Sequence, residues 1–444
     1  MNTSISARRT AFPAAVVAGF TILAGCGGGG DSAPALAPAP APAPAPAPSP
    51  PPEPFDGGPP RFVSQIAIPG VDASTNYSFG LGAVVGTKYY FPDRNSAAIQ
   101  AIDIPTLSGS GQILGAGDMA LTGIGTNDSK SGPNGVNAFG QMLFVGDVES
   151  VKVVDPVTKT ISKSIPIGAM SLRADRGCVD EVHQLYMISS PAAPTPFSTF
   201  ISRGLERVEG TVAFIDNKGN LSKGIGQCRY DPVTDNFYVV IDGTTDNPHG
   251  ELVKLPGPAI RDLVFQNFFD DGAASWNYTT LSGVAMYSLE NCDPTGLALG
   301  PGTDIAVGCR ETTTGAPLLV QILNRTTGAI VASLNAGGGD QLEYDSRSDR
   351  YYNASSRWTT SGNAGTDGLC SAASPCTPVL TTIDATQRSV VSRLPTGNSA
   401  HSVAVDPITG TIFMPFSSAS SPAGCPACEA NGFSAAGVAV FKTN

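Results

Sequence analysis

The chain has 444 residues, of which 41% are hydrophobic, and its 26 basic and 37 acidic side chains give a formal net charge of −11. A surface of this charge repels nucleic acid and anionic lipid, so neither is an expected partner. The chain is also rich in glycine and proline, with 51 and 37 residues, and strong helical patterns are scarce. This composition disfavours a helical bundle and favours short strands joined by turns.

The first 26 residues carry an export pattern. Arg8 and Arg9 precede an apolar run from about Pro13 to Ala24, which is too short to span a bilayer, and Gly25 and Cys26 follow it. This pattern resembles a bacterial lipoprotein signal. The resemblance implies cleavage before Cys26, lipidation of its thiol, and a place in the cell envelope, anchored to the outer membrane and facing the periplasm or the cell surface. The alternative is an ordinary secretory signal with an incidental cysteine.

Composition then divides the chain into three segments. Residues 1–25 form the predicted signal peptide, and residues 26–60 contain a glycine run followed by the Ala-Pro alternation of Ala33–Pro54. Such a segment cannot form a core and favours extended polyproline-like chain, so we predict a disordered stalk. Residues 61–444 form the predicted folded body.

Eight cysteines remain besides Cys26, an even number in an exported chain, so disulfides are expected. Proximity in the sequence suggests three pairs and leaves a fourth: Cys370–Cys376, Cys425–Cys428, Cys292–Cys309 and Cys178–Cys228. The C-x-x-C spacing of Cys425 and Cys428 is also typical of redox or zinc sites. We expect these two cysteines in a loop rather than at a helix N-terminus, which favours a structural disulfide.

An internal repeat determines the predicted fold. A strand that often ends in Ile-Asp recurs seven times, at Ile99–Asp103, Val151–Asp155, Val212–Asp216, Leu252–Leu255, Leu319–Asn324, Leu380–Asp384 and Val438–Phe441. Hairpins with an Asp-Pro turn or a similar one precede several copies, at Tyr230–Tyr238, Tyr344–Tyr352 and Val405–Phe413. Each repeat thus supplies an inner strand, an apolar second strand, the Ile-Asp third strand and an outer fourth strand.

Seven units of four strands predict an all-β fold, a seven-bladed β-propeller. The last copy stops after its third strand, while Phe62–Gly70 reads as a fourth strand without a blade of its own. We therefore predict that the N-terminal strand of the body closes the last blade and leaves no free edge. A string of β-sandwich domains is the competing fold, and it explains neither the shared repeat nor the unassigned strand.

The repeat resembles the YVTN-type β-propellers of bacterial envelope proteins and, more distantly, gluconolactonase-like and lactonase propellers. The segments that carry the resemblance are Tyr90–Asn95, Gly132–Val136, Gly338–Leu342 and His401–Pro407. It covers about residues 62–444 and implies a fold, whereas the function stays open because such propellers include enzymes, ligand binders and scaffolds.

Candidate site residues follow from the propeller geometry, because the inner strands begin around a central channel. Counting back from the inner-strand aspartates gives Asn134, Arg173, Asp175, Gln227, Arg229, Asn291, Asp340, Gln341, Glu343 and His401, with Asp93 and Arg94 at the same rim or a neighbouring one. His401 is the one histidine of three at an inner-strand start and is the candidate catalytic base. These side chains either bind a ligand or only form hydrogen bonds with one another and with water in the pore.

Two functions remain open from the sequence. The first is a monomeric ligand- or protein-binding module of the envelope, whose partner is a small molecule or an envelope protein. The second is a metal-assisted lactonase, ester hydrolase or lyase at the channel mouth. No cofactor is identified, but a divalent cation held by Asp175, Asp340 and Asn134, with His401 as base or ligand, would suit the second function.

Overall fold

The computed structural model describes residues 57–245, 247–267, 274–310, 313–365, 370–420 and 424–443. The predicted signal peptide, Cys26 and the Ala-Pro segment lie outside the described residues. The first strand, β1, spans Arg61–Ala67. Among the described residues no helix is long and apolar enough to cross a membrane.

Seven sheets follow one another along the chain as blades, each built on four antiparallel strands. Blade 1 consists of β2 (Ala83–Val85), β3 (Lys88–Asp93), β4 (Ala98–Asp103) and β5 (Ser108–Ile113). Two 3₁₀ turns, Gly117–Met119 and Asp128–Lys130, lie in the connection to blade 2. Blade 2 consists of β6 (Val136–Phe139), β7 (Met142–Gly146), β8 (Ser150–Asp155) and β9 (Thr160–Pro166), and blade 3 of β10 (Gly177–Asp180), β11 (Leu185–Ser190), β12 (Phe197–Ser202) and β13 (Arg207–Ala213).

Blade 4 contains an insertion. Its strands are β14 (Ile225–Asp231), β15 (Asn236–Ile241), β16 (Glu251–Pro256) and β18 (Ala285–Ser288), and between the last two lie helix α1 (Gly257–Asn267), β17 (Ala274–Asn277) and the 3₁₀ turn Tyr278–Thr280. The inserted β17 pairs in parallel with β13, so it becomes a fifth strand of blade 3. The insertion therefore covers the outer edge of the neighbouring blade.

The remaining blades complete the ring. Blade 5 is β19 (Asp293–Leu299), β20 (Asp304–Arg310), β21 (Leu319–Asn324) and β22 (Ile330–Asn335), and blade 6 is β23 (Leu342–Asp345), β24 (Arg350–Ser355), β25 (Val379–Asp384) and β26 (Ser389–Pro395). Blade 7 is β27 (Ala404–Val405), β28 (Thr411–Phe416) and β29 (Gly437–Lys442), with helix α2 (Pro426–Ala430) before β29.

Ring closure is confirmed. Strand β1 pairs antiparallel with β29, from Arg61 opposite Lys442 to Ala67 opposite Gly437, and becomes the fourth strand of blade 7. The inner strands contact one another in the cyclic order β2, β6, β10, β14, β19, β23, β27 and back to β2. The chain is thus a seven-bladed β-propeller whose N- and C-terminal strands share one blade, so that the ring has no open sheet edge at the junction.

The core lies between the blades. The second and third strands are almost entirely buried, as in β11 and β25, whereas outer strands such as β22 alternate between half-buried and exposed residues. At the junction of blades 7 and 1, Tyr89 stacks on Phe413 with ring centroids 4.8 Å apart. Near the axis the strands pack so closely that a side chain on Gly80 would collide with the backbone of Asn134. The glycine-rich segment before β2 therefore lies directly against the residues that precede β6.

The aspartates at strand ends in the repeat explain the turns that follow those strands. Asp155, Asp231, Asp345 and Asp406 each accept a backbone N–H two residues further on, for example from Val157 at 2.8 Å. An aspartate at a strand end can thus fold the chain back by itself. One predicted copy is wrong: Val212–Asp216 begins in the fourth strand of blade 3, because the third strand of that blade is β12. Six of the seven copies are third strands.

All four predicted disulfides are present. Cys178–Cys228 joins the inner strands of blades 3 and 4, whereas Cys292–Cys309 lies within blade 5. The expectation that Cys425 and Cys428 lie in a loop is wrong. Cys425 caps the N-terminus of α2, and its sulfur accepts the backbone N–H of Cys428. The proline at the first helical position fixes the backbone there for helix formation.

Candidate functional site at the channel mouth

Polar side chains line the channel at two levels, and the deeper level is the inner channel. It is a cavity of about 190 Å³ whose polar lining includes Gln227, Arg229, Gln341 and Glu343. Arg229 on blade 4 donates to the carboxylate of Glu343 on blade 6 at 2.6 Å. Gln227 accepts the N–H of Leu297 at 2.8 Å. The first bond joins blades that do not neighbour each other in the ring, and the second joins the neighbouring blades 4 and 5.

Gln341 makes the same kind of contact. Its side-chain oxygen accepts from the hydroxyl of Ser402 at 2.8 Å and from the N–H of Val403 at 2.9 Å, while its side-chain nitrogen donates to Glu343 at 3.1 Å. Within the described part of the chain, none of the four inner-channel side chains has a buried polar atom without a partner. These four side chains thus match a pore that satisfies itself, whereas Arg176, which also lines this cavity, has a buried Nε without a partner.

Above the inner channel lies the mouth cavity, with a volume of about 470 Å³. Five arginines, three aspartates and one histidine supply its charged or titratable lining: Arg94, Arg173, Arg176, Arg310, Arg357, Asp128, Asp175, Asp340 and His401. Residues that precede the inner strands and residues that end the second strands both contribute, because these two positions of a blade meet at the same rim.

One side of the mouth is held by Arg94. This buried arginine follows β3 and donates to Asp128 at 2.8 Å, to the side chain of Asn134 at 2.6 Å and to the carbonyl of Pro133 at 3.3 Å. Asn134 is fully buried, and its nitrogen donates to the carbonyls of Ser131 and Ala174. Protein groups therefore use both ends of the Asn134 amide, and the residue positions Arg94.

Arg173 is the second arginine of the rim. It pairs with Asp128 and, at 3.2 Å, with Asp175. Burial would raise the pKa of Asp175, but Arg173, Arg176 and Arg94 outweigh it and hold that pKa below its usual value. Asp175 is therefore ionised at neutral pH. The Nε of Arg173 is buried and has no hydrogen-bond partner.

Arg176 and Asp340 form the third group. Arg176 donates to the carbonyl of Thr295 at 2.9 Å and lies 3.7 Å from the Asp340 carboxylate. Burial alone would raise the pKa of Asp340, but Arg176, Arg310, His401 and Arg357 hold it well below its usual value. Arg176 Nε and Asp340 Oδ1 are both buried without a hydrogen-bond partner. Such orphaned polar atoms are costly and call for an explanation.

His401 lies at the same mouth. Its ring stacks on Phe79 with centroids 4.4 Å apart, and its Nδ1 lies 2.6 Å from the carbonyl oxygen of Ser399. A carbonyl only accepts, so Nδ1 carries the proton and Nε2 keeps the lone pair of the neutral ring. Burial lowers the pKa of His401 below 6.5, helped by Arg94 and Arg176 and opposed by Asp340. His401 is thus neutral at pH 7.

A second lobe of about 230 Å³ adjoins the mouth and shares Arg173, Asp175, Arg176 and Arg310 with it. Lys223 and Asp242 add to the lining of this lobe. Burial raises the pKa of Asp242 to about 6, with a further contribution from Asp293. Two carboxyl groups beside the same arginines therefore differ in charge near pH 6, because Asp340 is ionised at that pH whereas Asp242 begins to bind a proton.

The side chains predicted to bind a cation, Asp175, Asp340 and Asn134, already contact other protein groups. Asp175 and Asp340 each face an arginine, and the amide of Asn134 is already used. One other acidic group in the described residues, Asp180, His183 and Asp235, has ligand atoms within 4.8 Å of one another. There, Arg261 donates to Asp235 at 2.8 and 2.5 Å and lies 3.2 Å from His183 Nδ1. A guanidinium thus supplies the positive charge at this group.

The sequence predicted part of the mouth. Arg94, Arg173, Asp175, Asp340 and His401 line it, whereas Gln227, Arg229, Gln341 and Glu343 lie in the inner channel. Asn291 is exposed and Asp93 is buried against Gln100, so neither lines the mouth. Four charged lining residues were missed: Asp128, Arg176, Arg310 and Arg357. Arg310 ends a second strand and Arg94 directly follows one, so extending that position to every repeat would have found Arg310.

Comparison with known proteins supports the fold. No known protein family and no curated protein matches the sequence. Among solved structures, a chain of the Kuenenia stuttgartiensis hydrazine synthase is similar with a TM-score of 0.55 and 14% identity, over 85% of this chain and 99% of that one. A chain of the mitotic checkpoint complex is similar with a TM-score of 0.54 and 11% identity, over 89% and 95%. At such identities the similarity concerns the propeller fold alone.

Proposed function

We propose that this protein is a binding protein of the bacterial cell envelope and that the mouth cavity is its small-molecule site. The observation that carries the proposal is the set of orphaned buried atoms, Arg173 Nε, Arg176 Nε and Asp340 Oδ1, around a cavity of about 470 Å³. That volume falls within the range of about 300–1,000 Å³ typical of small-molecule sites. Gln227, Arg229, Gln341 and Glu343 of the inner channel have no such atoms, and Arg176 lines both the inner channel and the mouth.

A thermal-shift screen of the purified full chain against neutral, cationic and anionic metabolites tests this site. We expect at least one saturable ligand whose stabilising effect is lost in both Asp340→Ala and His401→Ala. The matched control is His249→Ala, which changes a half-buried histidine of a turn outside the mouth lining. Ligands whose effects survive both mouth substitutions, or the absence of any ligand, would overturn the proposal.

The envelope location is a proposal of its own. It is supported by the Arg8-to-Cys26 pattern and by the four disulfides, which persist in oxidising compartments. The outer-membrane anchor at Cys26 and the monomeric state both remain predictions. Replacing Cys26 with Ser should abolish lipid labelling and release the protein from the membrane fraction. Unchanged processing and membrane association of Cys26→Ser would refute the anchor.

Hydrolysis of an ester or lactone is the second candidate function, and the tautomer of His401 favours it. A neutral imidazole with Nε2 unprotonated can act as a general base at pH 7. The metal-assisted version has less support, since Asp175 and Asp340 face arginines. Lactone and ester turnover that is lost in His401→Gln, but kept in His249→Gln and after chelation, would favour this function over binding alone. Turnover equal in both histidine variants would exclude it.

A further inference from the structure

The mouth cavity has a charge opposite to that of the protein. Five arginines and three aspartates line it, so with His401 neutral the lining residues carry an excess of two positive charges, one of which, on Arg310, is paired with Asp293 outside the lining, although the chain has a net charge of −11. No lysine is among the lining residues. Arginine presents a planar fork of donors that matches carboxylate and phosphate oxygens, which a lysine ammonium does not. From this we infer that the ligand of the mouth is a small hydroxylated dianion, a hydroxy-dicarboxylate or a phosphate monoester.

This inference rests on the proposed function and specifies its ligand. The two central arginines are held in place by the protein before a ligand arrives. The terminal nitrogens of Arg173 contact Asp128 and Asp175, and those of Arg176 contact the carbonyl of Thr295 and Asp340. Each of the two keeps a buried Nε–H without a partner. Two fixed, unsatisfied donors of like charge suit the oxygens of an anion, and their positions cost little ordering entropy on binding.

Asp340 is the reason that we expect a hydroxyl group on the ligand. Its Oδ1 is a buried acceptor without a partner, and the surrounding arginines keep the carboxylate ionised. An ionised carboxylate can only accept, so the ligand must bring a donor. An ammonium donor would lie beside the arginines and be repelled, whereas a hydroxyl carries no such penalty. The mouth therefore suits a molecule that carries both negative charge and a hydroxyl group.

Isothermal titration calorimetry of the purified full chain tests the ligand class. The probes are malate and glucose 6-phosphate as hydroxylated dianions, succinate as a dianion without a hydroxyl, glucose as a neutral molecule and putrescine as a dication. We expect malate or glucose 6-phosphate to bind with a dissociation constant below 1 mM, roughly the range of small-metabolite sites. Raising the salt concentration should weaken this binding. If malate binds and glucose 6-phosphate does not, the ligand is a dicarboxylate, and the reverse result indicates a phosphate monoester.

Substitutions in the mouth test whether binding occurs there. Arg176→Gln should raise the dissociation constant at least about tenfold, the usual scale of one charge-assisted contact. Arg388→Gln is the matched control, because Arg388 also pairs with an aspartate, Asp304, but does not line the mouth. If Arg176→Gln fails to fold, Arg173→Gln serves for the same measurement.

The outcomes separate this inference from the proposed function. If glucose or putrescine binds as tightly as the dianions and Asp340→Ala abolishes that binding, the mouth is a binding site but the dianion is wrong. If succinate binds as tightly as malate, the hydroxyl contact with Asp340 is wrong. If none of the five probes binds, or if Arg388→Gln weakens binding as much as Arg176→Gln, the inference is overturned.

Discussion

The mouth cavity and the inner channel differ in how their polar groups are satisfied, although both are lined by arginine, carboxylate and polar side chains around one axis. In the inner channel Arg229 bonds to Glu343, and both amide side chains bond to backbone groups of other blades. At the mouth, Arg173 and Asp340 each keep a buried atom without a partner, and so does Arg176, which lines both levels. Residue type alone therefore does not separate a structural pore from a ligand site, so the comparison depends on which polar atoms lack a partner.

The first prediction concerns the ring that both regions require. A variant that begins at residue 61 should fold, whereas one that begins at residue 73 should lose cooperative unfolding, because it lacks β1 and exposes the edge of β29. Thermal unfolding followed by circular dichroism measures the difference. Equal melting temperatures of the two truncations would mean that neither region depends on closure.

The second prediction concerns a substitution that disrupts the inner channel and leaves the mouth lining unchanged. Glu343→Ala should lower the free energy of unfolding by about 1–3 kcal/mol, since it leaves the partly buried Arg229 without its carboxylate. Ligand affinity per folded molecule should stay unchanged, because Glu343 does not line the mouth. Urea unfolding and calorimetry on the same preparation measure both quantities. A loss of affinity without a loss of stability would contradict the structural role of this level.

The third prediction concerns Asp242 in the second lobe, whose raised pKa makes its contribution to stability depend on pH. Asp242 has a folded-state pKa of about 6, above the ordinary 3.8, so the folded state binds its proton more tightly than the unfolded state does. This group therefore contributes stability below about pH 4 and loses it as the pH rises through 6. Asp242→Asn should stabilise the protein by about 1–3 kcal/mol at pH 8 and by little at pH 4. Equal effects at both pH values would contradict the raised pKa.

The sequence predicts the fold more completely than the site, and the reason is physical. The Ile-Asp strand recurs because each blade must bury the same faces and turn at the same aspartate, so the blade count and the closing strand follow from the repeat. The copy at Val212–Asp216 was wrong because the third strand of blade 3, Phe197–Ser202, is followed by Arg203, whereas three of the other copies end in aspartate.

The mouth depends on features that do not repeat. Counting along the inner strands found Arg173, Asp340 and His401, since their position is fixed by the blade. Asp128 lies in the connection between blades 1 and 2, and only tertiary packing brings it to Arg94 and Arg173. The pattern of the sequence does not indicate which channel residues satisfy one another, because all of those bonds except that between Gln341 and Glu343 join residues more than 60 positions apart.

The most direct test of the account is calorimetric titration of the tightest-binding dianion into two arginine variants, one from each level. Arg173→Gln changes the mouth, and Arg229→Gln changes the inner channel. We predict that Arg173→Gln raises the dissociation constant at least about tenfold, whereas Arg229→Gln leaves it within about twofold and lowers stability instead. An equal loss of affinity in both variants, or none in Arg173→Gln, would contradict the assignment of the mouth as the ligand site.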